Sequence, residues 1–481
     1  MRASVRLVGR SRVLIAVAAV VIVCSGAASA VFAATRSSGP TTQELTIEAS
    51  DGTSLACGLV LPGGSAPSGG WPGVLLFHGL GQTHRDMETI ANAALAPAGF
   101  ASLACDARGT GASGGRFGLD GPREVQDVRD LFAWLAARGD VSNTRIGAFG
   151  LSIGGGAVWN AAVAGVPFAA IVPAITWTDL GSALNPDGVP RGGLLGRLAS
   201  AVPFSRWDSS LTQARTDLLA GHVTSAVEST EATRSSRSKL HALKVPALLL
   251  QGRHDFLFDL DQATAAYRLL GGPKRLYLGD LGHPPAPNPA AEQPRFVAEA
   301  VGWLREYLAV VGEHPPGPGR GVELAHDPWD GRTSFFKGLP RTRHKSVNLP
   351  GTRAIASNRS VKRSVRLTGG PFETFGDGSL SVRYSGNSGA WTELRAMVSF
   401  KGGKTPITVG AAPIGKRAGV VEIPLLDEAV LVPRGRRIVV TVGSTTADGV
   451  YLPASGAGGS PTITIRRVTL NLSLLRRAVS R

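Results

Sequence analysis

The sequence predicts a mostly parallel α/β sheet with helices on both faces and a helical cap inserted in it, followed by an antiparallel β-sandwich. Three observations predict this. Short apolar runs bounded by Gly or Asp alternate with amphipathic stretches over about 270 residues, as expected of parallel strands buried on both faces. About 70 residues rich in Gly, Ser, Pro and Arg, from Thr176 to Leu243, interrupt that alternation before it resumes. Beyond a Pro/Gly-rich connector the period changes to short strand-like runs separated by Gly, Asn, Asp or Pro turns.

Taken in order, Glu44–Glu48 and Leu55–Leu61 read as a hairpin around the Asp51-Gly52 turn. Gly73–His78 and Ala101–Cys105 are buried strands, with helical composition over Arg85–Ala98 between them. Val125–Arg138 places its apolar residues at helical spacing. A strand at Arg145–Phe149, a helix at Ile153–Ala164 and a strand at Ala169–Ile175 follow. The segment 176–243 is read as a cap over the sheet's C-terminal edge. The alternation then returns as strand Val245–Gln251, helix Asp261–Leu270, strand Arg275–Leu278 and helix Glu292–Val311. The first folded domain is thus expected over 41–312, the linker over 313–321 and the sandwich over 322–481. In the sandwich, strands are expected at Leu380–Tyr384, Glu393–Phe400, Thr405–Val409, Val420–Pro424, Arg437–Val442 and Thr462–Leu472.

Residues 1–40 are kept out of the fold. Arg2, Arg6, Arg10 and Arg12 precede an uncharged apolar run that leads into Ala28-Ser29-Ala30, a pattern suited to signal peptidase. The uncharged stretch from Val13 to Thr35 is also long enough for an uncleaved anchor. Either way the protein is expected to be exported, secreted or held at the outer face of the cytoplasmic membrane. Export permits a disulfide between Cys57 and Cys105, but their spacing leaves the pairing open.

The 481 residues carry a net charge of +16, placed unevenly. Residues 321–481 hold 24 Lys/Arg against 10 Asp/Glu, so the basic excess is C-terminal. It suits an Arg-rich soluble surface, with an anionic cell-envelope surface as the functional alternative. No zinc spacing, basic zipper or aromatic RNA-binding signature accompanies it, so nucleic acid is excluded as a partner.

The chemistry begins at Gly150-Leu151-Ser152-Ile153-Gly154, a G-x-S-x-G between a strand and a helix. The glycines permit a sharp turn that exposes Ser152 at the helix N-terminus, and the Ile153 N–H is aimed at a developing oxyanion. No Gly-Lys-Ser/Thr follows, which excludes a phosphate loop. Asp255 follows the penultimate strand and His283 the last, so Ser152, Asp255 and His283 stand in the chain order of an α/β-hydrolase triad. His254 is a rival base, but it precedes a helix. Asp259 and Asp261 are rival acids, but they suit helix capping. His78, in His78-Gly79-Leu80-Gly81, is read as structural, and the Leu80 N–H as the second oxyanion donor. No metal or cofactor is expected.

The stretch Asp106-Ala107-Arg108-Gly109-Thr110-Gly111-Ala112-Ser113-Gly114-Gly115, with the Ser152 motif and Gly252-Arg253-His254-Asp255-Phe256-Leu257-Phe258, resembles the X-prolyl dipeptidyl peptidase and cocaine-esterase-like serine hydrolases. The resemblance implies a Ser-Asp-His triad, a helical cap and a jelly-roll sandwich. It also implies cleavage of an ester or short peptide through an acyl-enzyme, with X-Pro dipeptidyl peptidase-like activity or, alternatively, that of a small-acyl carboxylesterase. A non-catalytic surface-binding protein is the reading from another class. Asp106 and Arg108 are expected to pair. The sequence departs from many members at His78-Gly79-Leu80-Gly81-Gln82, where they carry a tyrosine that donates to the oxyanion.

Overall fold

The computed structural model describes residues 39–309, 317–355, 359–387, 393–403, 405–415, 417–444, 446, 449–451 and 462–476. Residues 1–38 of the expected targeting segment and the start of the expected linker lie outside the described residues.

The first sheet forms from β1 (Thr41–Glu48), β2 (Ser54–Leu61), β3 (Trp71–Phe77), α1 (His84–Ile90), β4 (Ala101–Cys105), α2 (Pro122–Ala136), β5 (Val141–Leu151), α3 (Ile153–Val163) and β6 (Ile171–Ala174). The cap contributes α4 (Leu180–Leu184), α5 (Gly192–Ala199), α6 (Thr212–Leu219) and α7 (Ser225–Thr233), after which β7 (Ala247–Gly252), α8 (Leu260–Leu269), β8 (Lys274–Gly279) and α9 (Gln293–Leu308) complete the alternation. Strand order is β1-β2-β4-β3-β5-β6-β7-β8, extended by β9 (Gly321–Ala325) and β10 (Thr333–Phe336). The run from β4 through β3 to β9 is parallel, while β1, β2 and β10 pair antiparallel at the edges.

Alternating side chains on these strands feed two cores. On one face Leu131 and Leu135 of α2, Trp159 of α3 and Leu260 of α8 are buried together with Leu75 and Leu249 of the sheet. On the other, Met87 of α1 and Trp303 and Leu304 of α9 cover Val74, Leu76 and Leu248. Both faces are therefore apolar, as the uninterrupted strand runs require.

Two sequence expectations need correction here. The first puts residues from 322 onward in the second domain, but β9 hydrogen-bonds parallel to β8 and carries the first sheet two strands further. Val322 and Leu324 are buried in its core, so the sheet ends at Phe336. The second expects one helix over 85–98. Instead α1 stops at Ile90 and continues as a wider π turn over Ala91–Leu95.

The sandwich is built from β11 (Thr342–Leu349), β12 (Arg353–Ile355), β13 (Ser360–Arg366), β14 (Phe372–Asn387), β15 (Glu393–Phe400), β16 (Pro406–Pro413), β17 (Ala418–Glu428), β18 (Leu431–Val432), β19 (Arg437–Gly443) and β20 (Thr462–Leu475). One sheet runs β11-β20-β14-β17 and the other β13-β19-β15-β16, all antiparallel. Inward residues such as Leu380, Val382, Val440 and Leu470 fill the space between them.

The sandwich packs directly on the first domain. Val189 and Phe256 bury against Val409, Ala411, Leu426, Val450 and Tyr451. Arg253, fully buried, donates to the Ala429 carbonyl (2.7 Å) and pairs with Glu373 (2.5 Å). The residues next to Asp255 are thereby fixed from both domains. Cys57 and Cys105 stand opposite each other in the β2–β4 register and form a disulfide.

Candidate active site

The turn between β5 and α3 places Ser152. Its φ of 56° lies in the left-handed region, which a non-glycine residue occupies only when its surroundings hold it there. Here the Ser152 N–H donates to the Ala174 carbonyl (2.9 Å) and Thr176 Oγ1 donates to the Ser152 carbonyl (2.7 Å). A side chain at Gly150 would collide with the Gly154 backbone, and one at Gly154 with the Phe77 carbonyl. Both glycines of the motif are thus required by close backbone approach rather than by φ.

The structure brings Ser152, His283 and Asp255 into one hydrogen-bonded line. Ser152 Oγ lies 2.9 Å from His283 Nε2, and His283 Nδ1 lies 2.8 Å from Asp255 Oδ2. Asp255 is fully buried, yet its acceptors are occupied. Oδ1 takes the N–H groups of Leu257 (2.9 Å) and Phe258 (3.0 Å), and Oδ2 also takes the N–H of His283 (3.0 Å). A carboxylate so held keeps the imidazole in the tautomer with its proton on Nδ1, leaving Nε2 to accept from serine. Phe258 packs edge-on against the His283 ring.

The rivals fall elsewhere. His254 Nε2 faces Asp280 and Asp327. Asp259 stands at the N-cap position of α8 with its Oδ2 accepting from the Asp427 N–H (3.3 Å), and Asp261 pairs with Arg237 (2.7 Å). His78 is buried, with its Nδ1 donating to the Gly79 carbonyl (2.8 Å) and its Nε2 accepting from the Ala107 N–H (3.0 Å). Burial lowers its pKa, so it is a neutral strut between the two loops.

The expected Asp106–Arg108 pair does not form. Asp106 Oδ1 instead accepts from the N–H and Nδ1 of His84 (2.7 and 2.8 Å), and Oδ2 from the Ala112 N–H (2.7 Å). Arg108 is bound by Asp127 (2.5 Å) and Asp51 (3.2 Å). Residues two apart in a tight glycine turn point to different neighbours, so each charge finds its charged partner outside the motif.

Ile153 opens α3, where the first N–H groups have no partner inside the helix. Leu80 lies beside it in the cavity wall, on a turn held by Gln82, whose Oε1 accepts from the Gly79 N–H (2.9 Å). That cavity opens onto Ser152 beneath the cap and is lined by Trp177, Leu184, Leu198, Trp207 and further leucines, with Arg215 among them. Among the described residues, Glu231 is the one carboxylate in the lining. Its side chain accepts from Asn185 Nδ2, and burial pushes its pKa up to about 7.

Sequence reasoning missed Asn288. Itself at φ 50°, it accepts from the Gly282 N–H (2.9 Å) and donates to the carbonyls of Gly282 (3.0 Å) and Ala286 (3.1 Å), closing the loop that carries His283. Nothing in the local sequence separates it from an ordinary loop asparagine. Glu292 buttresses the other side of that loop by accepting from the Asp280 N–H (2.9 Å) and from Tyr277 Oη (2.7 Å).

With this geometry in hand, comparison with known proteins places the fold. Residues 51–284 match the X-Pro dipeptidyl-peptidase (S15) family. The resemblance drawn from the Asp106, Ser152 and Arg253 motifs is borne out. The match runs from the β1–β2 turn to just beyond His283, and so takes in the cap together with Ser152, Asp255 and His283. Among solved structures the chain is similar to a CocE/NonD family hydrolase from Staphylococcus aureus, at a TM-score of 0.67 and 13% identity over 90% of this chain and 94% of that one. It is also similar to an alpha-amino acid ester hydrolase, at a TM-score of 0.68 and 15% identity over 93% and 98% of the two chains. At these identities the likeness shows a shared fold, which takes in the sandwich as well as the S15-type domain. A curated relative, an uncharacterized 31.7 kDa protein of the traX-finO intergenic region in Escherichia coli, is 34% identical over 110 residues. Those residues are 22% of this chain, which spans 38% of that relative's length.

Proposed function

We propose that the protein is an exported serine hydrolase that cleaves an ester or amide through an acyl-enzyme on Ser152. The observation that carries this reading is the unbroken Ser152–His283–Asp255 line opening onto an apolar cavity. Ser152 Oγ attacks the substrate carbonyl carbon as its proton passes to His283 Nε2. The carbonyl oxygen becomes an oxyanion held by the N–H groups of Ile153 and Leu80. Collapse expels the alcohol or amine, which takes the proton back from His283. A water deprotonated by the same nitrogen then releases the acid and restores Ser152.

The cavity lining favours an uncharged, bulky acyl group, so a carboxylesterase acting on apolar acyl esters is the first reading. An X-Pro dipeptide is the second, supported by the family match and by Glu231, which is in place to meet a substrate's free amine. Export is supported by the arginine-led apolar segment and by the Cys57–Cys105 pair, a bond suited to an oxidising compartment. N-terminal sequencing of protein recovered from the cell envelope or medium checks it, and a first residue just beyond Ala30 is expected.

The deciding assay is hydrolysis of nitrophenyl esters of graded acyl length alongside an X-Pro anilide, with Ser152→Ala as the blank. Serine-dependent turnover that rises from acetyl to longer acyl chains is expected. Cleavage of the anilide alone would put the peptidase reading first. Activity that survives in Ser152→Ala would overturn both.

A further inference from the structure

His254 stands immediately before Asp255, Asp280 three residues before His283, and Asp327 between β9 and β10. Their side chains converge at ion-pair distance, with no aligned hydrogen bond to the facing atoms of His254 and Asp280. His254 Nε2 lies 3.5 Å from Asp280 Oδ1 and 3.3 Å from Asp327 Oδ2, and the three atoms are all within 4.8 Å of one another. Asp280 is 1% exposed, yet its Oδ1 has no hydrogen-bond partner, and neither does the sealed His254 Nε2. Buried polar atoms are normally satisfied, so a facing pair of orphans calls for something between them.

The remaining contacts hold the donors in place. Asp280 Oδ2 accepts from the Trp329 N–H (3.4 Å), and Asp327 Oδ2 accepts from the Leu431 N–H of the sandwich (2.8 Å). Donor atoms ~2.0–2.2 Å from one ion stand roughly 3.0–3.8 Å from each other, which matches the two separations from His254 Nε2. Asp327 also lines a cleft with an empty volume of about 1140 Å³, together with His326, Asp330 and Glu373, which gives an ion a route in and room for water as a further ligand.

We propose that His254 Nε2, Asp280 Oδ1 and Asp327 Oδ2 bind one divalent first-row cation, with zinc suited to a set of one imidazole and two carboxylates. The site is structural. It joins the loops that carry Asp255 and His283 to the β9–β10 turn, and through Asp327 to the sandwich. It is independent of the hydrolase reading, because no ligand touches Ser152 or its partners in the triad.

The test uses the full two-domain protein, stripped with a chelator, reloaded with zinc chloride and desalted, with bound zinc counted by elemental analysis and Tm measured with and without zinc. Asp327→Asn keeps an acceptor for the Leu431 N–H, and His254→Gln keeps a polar side chain of similar reach. Wild type is expected to retain one equivalent of zinc more than either variant and to gain several degrees of Tm that the variants do not. Zinc held equally by the variants would belong elsewhere, at His84 or His283, and would overturn the assignment. A wild type that retains no zinc would overturn it too, leaving direct contact of His254 with the two carboxylates as the explanation. Should one variant fail to fold, the other carries the comparison with wild type.

Discussion

Around Asp255 every carboxylate oxygen has a donor, and those donors are backbone N–H groups two, three and 28 residues away together with one imidazole. Across Ser152, the cap cavity is walled by leucines and aromatic rings, with Glu231 as its one carboxylate among the described residues. The first region fixes three side chains to within hydrogen-bond tolerance and, in the proposed function, carries the chemistry. The second fixes little beyond shape and excluded water, and governs what fits. Mutations in the two should therefore differ in kind: in the loops they act on kcat, in the cap on the choice of substrate.

The strongest way to break that contrast is Asp255→Asn. An amide cannot accept from both the N–H and the Nδ1–H of His283 at Oδ2 without presenting its own NH₂ to one of them, so the wrong imidazole tautomer is favoured. A fall in kcat of about 10⁴ with KM nearly unchanged is expected in steady-state ester hydrolysis. A change in KM alone would mean that Asp255 shapes the pocket instead.

Asn288→Ala is the next largest. It removes three hydrogen bonds from the His283 loop while leaving the triad chemically intact. The expected loss is about 10- to 100-fold in kcat, since small misplacement of a catalytic base is costly. Asn288→Asp, which retains the acceptor for the Gly282 N–H, should recover part of it. Equal losses in both variants would point to the asparagine's backbone conformation rather than its side-chain bonds.

The difference between the two regions also explains what was legible in the sequence. Ser152, Asp255 and His283 could be read because each follows a strand of an alternating pattern, and strand ends on one sheet edge meet in space. The sandwich strands from Leu380 onward could be read from their turns. The limit of the first sheet could not, because β9 and β10 lie beyond a Pro/Gly-rich connector that looks like a domain boundary. Nor could the charged partners of Asp106 and Arg108, which come from residues about 20 to 60 positions away. The cap gives only composition, so a cavity built by Trp177, Leu184 and Leu198 from separate turns leaves no periodic trace.

Leu198→Phe tests the cap directly. Leu198 lines the cavity and is half-buried, so a larger ring there narrows the space without overpacking the sheet. The ratio of kcat/KM for long over short acyl esters should fall about 10-fold, in line with what a hydrophobic pocket discriminates per group. Acetyl ester turnover should change little. An equal loss for both esters would show that the ring disturbs Ser152 rather than the acyl site.

The smallest expected effect is on stability, and it turns on pH. Burial pushes the carboxyls of Glu124, Glu231 and Glu292 up to about 7 from a usual 4.5. Between those values the folded chain keeps protons that the unfolded chain has released, so these groups' contribution is fully present below about pH 4.5 and is lost as pH rises through about 7. Glu231→Gln preserves an acceptor for Asn185 Nδ2 and removes one of these titrations. The variant should match wild type in urea melts at pH 5 and exceed it by on the order of 2 kcal/mol at pH 8. Its ester turnover should remain near wild type while any cleavage of a free-amine X-Pro substrate falls. If ester kcat instead dropped as far as in Asp255→Asn, the cap would share in the chemistry, and the division between a region that reacts and a region that selects would fail at Glu231.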